Sequence, residues 1–452
     1  MNRLPLLLGI LAAVASAQEL TISSAVEKAL ANYPSIRVSQ AQIDAAAAGI
    51  ELARTAWLPR VDSFAQINRA TRNNVFGMLL PNSVIPSMSG PVVGTNNTGS
   101  VWGSAVGVLA TWEPFDFGLR RANLSTAEAA KAKTAATLER TDFEIGVATA
   151  DAFLTIAAAQ ETLKAAEAAR VRALELQRAV VAQVNAELRP GADASRTDAD
   201  LAVAKTQVAQ AQQAIDVSRA NLAQFSGEDA SKQPMHVAPL AQLPTFAPPA
   251  TVDTAANPVA KEQTATIEQA KAQLHALQRT YFPRFYLQGA AYARGTGAEL
   301  DGDTLGGANG LAPSVQNYAL GFSVNFPIMD FAALRSRESA QSAAIRAEQA
   351  RYQQITTDLV ARWNVAKAQL EGARRVADNT PAQVNAARTA LQQANARYGA
   401  GLGTIVEVAE AQRLLAQAEI DDALARLGVW RALLGLAAAQ GDIRPFLTEV
   451  SR

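Results

Sequence analysis

Two stretches of this chain are long, uninterrupted helix formers, and the rest of the fold has to accommodate their length. Asp116 to Arg189 covers 74 residues and Asp330 to Arg397 covers 68, both rich in Ala, the residue that gives up no side-chain entropy in a helix. At 1.5 Å per residue each reaches roughly 100 to 110 Å, longer than any globular core. The chain repeats itself around these helices. Asn32-Tyr33-Pro34 opens an Ala-rich run that stops at Trp57-Leu58-Pro59, and Asn257-Pro258 opens another that stops at Tyr281-Phe282-Pro283, so both proline-to-proline intervals are 25 residues. A non-helical stretch follows each run. Then come Phe115-Asp116-Phe117-Gly118 and Met329-Asp330-Phe331-Ala332, where Asp116 and Asp330 read as helix N-caps. Each long helix ends in a short turn and one further helix. A repeat of this size is a duplicated domain, not a solenoid.

This reading divides the chain into a segment 1–17, a first repeat 18–226, a linker 227–256, a second repeat 257–440 and a C-terminal tail 441–452. The first segment reads as a secretory signal peptide: Arg3 precedes an apolar run from Leu4 to Val14, and Ala15-Ser16-Ala17 offers small residues for cleavage. The linker carries Pro234, Pro239, Pro244, Pro248 and Pro249, which remove helix donors and favour extended backbone. The shorter helices, 22–56 with 194–225 and 257–280 with 404–437, match the long ones if stacked end to end, giving about four antiparallel helical strands. Heptad spacing supports lateral packing through Leu174, Val181 and Leu188, through Ile345, Tyr352 and Leu359, and through Val384, Leu391 and Tyr398. Taken alone, these heptads equally describe an ordinary coiled coil.

Composition removes several function classes. Lys plus Arg and Asp plus Glu are both 41, so no excess of positive charge marks a nucleic-acid partner. With no Cys, the chain has no disulfide, thiolate metal site or Cys nucleophile. Its two His, His236 in the linker and His275 on a helix, lack ligands at metal spacing, and no Ser/His/Asp set is available. Gly399, Gly401 and Gly403 follow a helix instead of a strand, so they read as a helix C-cap and turn and not as a phosphate loop. No catalytic residue, cofactor or metal is expected.

The segments between the helices carry a different signal. Asn317 to Phe326 alternates strictly, with Tyr318, Leu320, Phe322, Val324 and Phe326 on one face, as a strand with one apolar side does. Trp102 to Trp112 sets Trp102, Val106, Val108, Ala110 and Trp112 against the small Gly103, Ala105 and Gly107. Arg60 to Arg69 and Arg284 to Arg294 complete four strands, each close to the length a tilted membrane strand needs and with aromatic residues near the ends. Phe76 to Ser100 and Gly295 to Gln316 read as surface loops. A small soluble sheet capping a helical rod is the other reading. If the strands do span a bilayer, four cannot close a barrel, so the chain must borrow strands from other copies.

With these features in hand the chain resembles the TolC family of outer membrane efflux proteins over essentially its whole mature length. The most specific segment runs Arg397-Tyr398-Gly399-Ala400-Gly401-Leu402-Gly403-Thr404-Ile405-Val406-Glu407-Val408-Ala409-Glu410-Ala411-Gln412. The resemblance implies a mostly α-helical homotrimer with a small β part: a long antiparallel α-helical barrel continuous with a transmembrane β-barrel of four strands per chain. It implies an outer membrane channel extending into the periplasm, with a periplasmic adaptor and an inner membrane pump as partners. It places a periplasmic gate at the turn, with Glu407 and Glu410 as acidic ring residues and Asp198 and Tyr398 in the network that locks the closed state. Gly191, Gly399, Gly401, Gly403 and Thr404 form the tip turns. The family's Arg position is occupied here by Gly403, leaving Arg196 or Arg397 to supply the missing cation. The function this implies is a passive conduit of a tripartite efflux system, with an exit duct for type I protein secretion or for metal or cation efflux, and a structural periplasmic rod without a pore, as the alternatives.

Overall fold

A computed structural model describes residues 19–71, 99–227, 231–245, 251–299, 303–326 and 328–451. The expected signal peptide and residues 76–98 of the first surface loop lie outside them. The element order is α1 (Ile22–Asn32), α2 (Pro34–Thr55), β1 (Arg60–Thr71), β2 (Ser100–Phe115), α3 (Leu119–Asn185), α4 (Gly191–Ser226), α5 (Pro258–Arg279), β3 (Arg284–Thr296), β4 (Val315–Asn325), α6 (Phe331–Gly399), α7 (Ile405–Gln440) and α8 (Arg444–Val450). The chain forms two compact units: residues 1–41, 135–263 and 351–452 in one, and 42–134 with 264–350 in the other. Among the described residues no helix is long and apolar enough to cross a membrane.

The unit containing 42–134 and 264–350 holds the sheet, four antiparallel strands in the order β1-β2-β3-β4. Its register aligns side chains into rows across one face, such as Val61, Ala110, Gly289 and Leu320, or Trp112, Leu287 and Phe322. This face is apolar and unprotected, with Tyr318 82% and Leu320 81% exposed. The opposite face is mixed: Gln66, Asn68, Thr111, Gln288, Asn317, Ser323 and Asn325 stand among glycines, alanines and the larger Phe64, Leu109, Tyr286 and Tyr292. β1 and β4 are the outer strands, so each leaves one row of backbone donors and acceptors without a ladder partner among the described residues.

The strand-to-helix joint of the first repeat follows from Asp116. Its carboxylate accepts the N–H groups of Gly118 and Arg120 at 3.1 and 2.6 Å, and pairs with Arg120 Nε at 3.0 Å. It therefore satisfies an orphan helix donor from three residues ahead of α3. Arg120 is buried, donates to the carbonyls of Ala56 and Pro114, and lies over the Trp57 ring. Phe117 adopts φ 50° there, a rare conformation for a bulky side chain, with its ring stacked on Phe282 at 5.3 Å. The second repeat differs: at Asp330 the backbone carbonyl, accepting from Leu334 N–H, opens the helix.

The other unit is helical around a core of Phe153, Leu154, Ile156, Leu370, Trp430 and Leu436. Two segments expected as connector and tail pack on this core because they carry apolar anchors. Leu20 pairs with Met235 in a β-bridge, and Leu240 is buried. Within 441–452, α8 buries Phe446 to 1% exposure and sets its ring against Trp430 at 6.3 Å. Glu449 of α8 accepts from the backbone N–H and hydroxyl of Thr245, both at 2.8 Å. The heptads of α6 hold, with Ile345, Leu359, Leu391 and Tyr398 buried. In α3 Leu174 packs beside Ala173, Leu201 and Ala204, and nearer the turn the seam runs through Leu176, Val180 and Val184. The helix ends at Asn185, and Leu188 lies beyond it, exposed.

Candidate functional site

The two turns that end the long helices are built alike, as their sequence positions require. After α6, Gly401 N–H donates to Tyr398 O at 3.1 Å and Leu402 N–H to Arg397 O at 2.9 Å, the paired bonds of a Schellman ending. Gly401 supplies the left-handed residue at φ 74°. After α3, Glu187 N–H donates to Val184 O and Leu188 N–H to Gln183 O, both at 2.9 Å. Here the left-handed position is held by Glu187 at φ 59°. Glu187 and Gly401 are 214 positions apart, as are Asp116 and Asp330, and Gly227 and Gly441. A side chain in this conformation costs roughly 1 kcal/mol or more relative to glycine, and Glu187 is exposed. Glu187→Gly is therefore expected to stabilise the turn by about 1 kcal/mol, read as a higher melting temperature of the helical signal.

The acidic residues at the second turn are not bare. Thr404 caps α7 by accepting Glu407 N–H at 3.4 Å. Glu407 Oε2 lies 3.6 Å from Arg397 Nε, and Glu410 Oε1 lies 2.7 Å from Arg413 Nη2. That bond to Arg413 holds the Glu410 carboxyl below its ordinary range. All four side chains are largely exposed, so the pairs add little to stability, but they offset each carboxylate locally. At Gly403 an added Cβ would lie 3.2 Å from Arg397 Cβ and 3.3 Å from Glu407 Oε2; the absence of a side chain there lets Arg397 reach Glu407. Of the other glycines expected to shape the turns, Gly191 and Gly399 have open space where a side chain would go.

The cation placed on Tyr398 comes from the first repeat. Arg189 lies with its guanidinium carbon 4.4 Å from the Tyr398 ring centroid and donates to the Tyr398 carbonyl at 2.9 Å. Tyr398 is 6% exposed, and its hydroxyl is buried without a hydrogen-bond partner among the described residues. Burial raises the phenol's pKa, with Asp193 adding to the rise and Arg189 opposing it, so the hydroxyl stays protonated. Asp198 accepts instead from Gln177 Nε2 at 2.9 Å. Arg397 is engaged by Glu407 and by Leu402 O, and Arg196 lines a cleft of about 380 Å³ with Asp200, Glu410 and Arg413. Neither candidate for the missing cation sits on Tyr398. Sequence reading missed Arg189, although a signal for it existed: Arg189 stands 214 positions before Gly403, so the Arg absent from one turn is present in its repeat.

A family model described as outer membrane efflux protein matches residues 25–228 and again 254–442. The chain belongs to the outer membrane efflux protein family. The two matches fall one on each half, as duplication requires. This outer membrane efflux protein also shares its fold with solved structures. The outer-membrane channel OprN is 20% identical, with a TM-score of 0.72 over 93% of this chain and 89% of that one. CusC, which changes conformation on folding and transmembrane channel formation, is 14% identical, with a TM-score of 0.75 over 93% and 92%. The Campylobacter jejuni CmeC outer membrane channel is 15% identical, with a TM-score of 0.74 over 95% and 89%. Among curated protein sequences none matches. Membership in this family places the efflux protein in the outer membrane.

Proposed function

We propose that three copies of this chain close a twelve-stranded barrel, β4 of one copy joining β1 of the next, and form a periplasmic tunnel that ends at the α3–α4 and α6–α7 turns. The observation that carries this is a four-stranded sheet with one exposed apolar face and, among the described residues, one open edge on each outer strand. In lipid every unpaired backbone group costs several kcal/mol, and the smallest single-chain barrels have eight strands. Two copies would give a barrel filled by side chains, while three leave a lumen. The chain is then a passive conduit without catalysis. An inner membrane pump supplies energy and cargo choice, and a periplasmic adaptor joins the two.

Glu407, Glu410, Asp198 and Tyr398 would surround the periplasmic mouth. Arg397 and Arg413 temper its negative charge, so its preference for cations is weaker than six free carboxylates would give. Arg189 on Tyr398 ties the first turn to the second and acts as the latch of the closed mouth. A cation–π contact of this kind with one hydrogen bond is worth about 1 to 2 kcal/mol. Arg189→Ala is expected to raise the open-to-closed ratio of single channels in planar bilayers by roughly tenfold. An unchanged ratio would overturn the latch, and wild-type protein that conducts no current would overturn the conduit.

A further inference from the structure

We infer that α6 bends at Pro381, and that the opening of the mouth pivots there. The inference rests on the gate reading above and adds where the moving part begins. Three observations meet at this level of the helical unit. The first is a break in the apolar packing between α6 and α7. One core includes Trp363, Leu370, Ala377, Leu427 and Trp430; a second includes Ala387, Leu391, Tyr398, Ile405, Val408 and Leu415. Between them lie the buried polar residues Thr380 and Asp422. Second, Pro381 stands inside α6, so the Ala377 carbonyl loses the N–H that would bond it, and the ring crowds that carbonyl.

The third is how the freed groups are satisfied. Thr380 Oγ1 lies 2.7 Å from Asp422 Oδ1 and 3.3 Å from Ala377 O, and Arg426 Nη1 holds Asp422 Oδ2 at 2.7 Å. A threonine hydroxyl has one proton and two acceptors within reach here. It can swing from the carboxylate on α7 to the orphan carbonyl on its own helix. Thr380 thus keeps a bonded hydroxyl whether the helices lie close or part, while Arg426 retains Asp422. The first repeat lacks this device, since the residues 214 positions earlier than Thr380, Pro381 and Asp422 are Ala166, Glu167 and Val208. The pivot therefore belongs to the second hairpin, whose far end carries Tyr398, Glu407 and Glu410.

The test compares the full wild-type chain with Pro381→Ala, which restores the missing helix bond. By hydrogen–deuterium exchange, the wild-type peptide covering residues 376–386 should exchange at least tenfold faster than peptides covering 360–370 and 388–398, and the substitution should remove that difference. In planar bilayers, Pro381→Ala should open at least fivefold less often with unchanged open-state conductance, whereas Thr380→Ser, which keeps the hydroxyl, should open as wild type does. Uniform protection along wild-type α6 would overturn the bend. Fast local exchange with unaltered opening in Pro381→Ala would overturn its role as pivot. Fast local exchange in protein that never conducts would leave the bend standing and sink the channel reading instead.

Discussion

Replacing Leu320 with Arg is expected to abolish accumulation of the assembled protein in the outer membrane, while the same change at Ala319 is tolerated. The two positions are neighbours on β4 but lie on opposite faces of the sheet. Leu320 shares its face with Tyr318, Phe322 and Val324, all exposed. If that face meets hydrocarbon, an Arg at mid-strand costs about 2 to 4 kcal/mol per chain, paid in every copy of the barrel. Ala319 lies on the face with Asn317, Gly321 and Ser323, where a lumen hydrates the guanidinium. Membrane fractionation with an assay for intact oligomer separates the outcomes. Equal loss at both positions would indicate a general packing defect, and equal tolerance would place the sheet in water.

The second large effect is expected in the other compact unit. Phe446→Ala should destabilise the helical unit by about 3 to 5 kcal/mol, as loss of a buried aromatic ring does. Phe446 is almost fully enclosed and meets Trp430 edge to face. Trp430 in turn donates its indole N–H to Gln242 O. The ring therefore joins α8, α7 and the segment between the repeats, and its removal loosens all three. Circular dichroism melting should show the drop, with a smaller one for Phe446→Leu. A melting temperature unchanged by Phe446→Ala would mean that residues 441–452 are an appendage.

Periodicity exposed most of the architecture, because it is a property of the chain alone. The alternation at Tyr318, Leu320, Phe322 and Val324 and the paired prolines of each repeat placed strands and helices within a few residues of their observed ends. What it could not fix was which apolar residues pack. In α3 Leu174 packs as its heptad expects, but Val181 and Leu188 cannot be told by spacing from the observed Leu176, Val180 and Val184. A similar weakness hid the packing of the linker and the tail, since Leu240 and Phe446 are isolated anchors in segments without a period. At the turns, the sequence located Tyr398, Glu407 and Glu410 but not the partners that temper them. Arg189 approaches Tyr398 from 209 residues away, and no local pattern reports such a contact. The duplicated register does, once the turns are aligned on Glu187 and Gly401.

How many copies hold together decides the account. Native mass spectrometry of the purified mature chain, released from mild detergent, counts them directly. Three chains per particle is the expected result, with the particle falling to single chains when Leu320→Arg is introduced. A stable single chain in that detergent would contradict it, because one sheet with two open edges cannot enclose a pore.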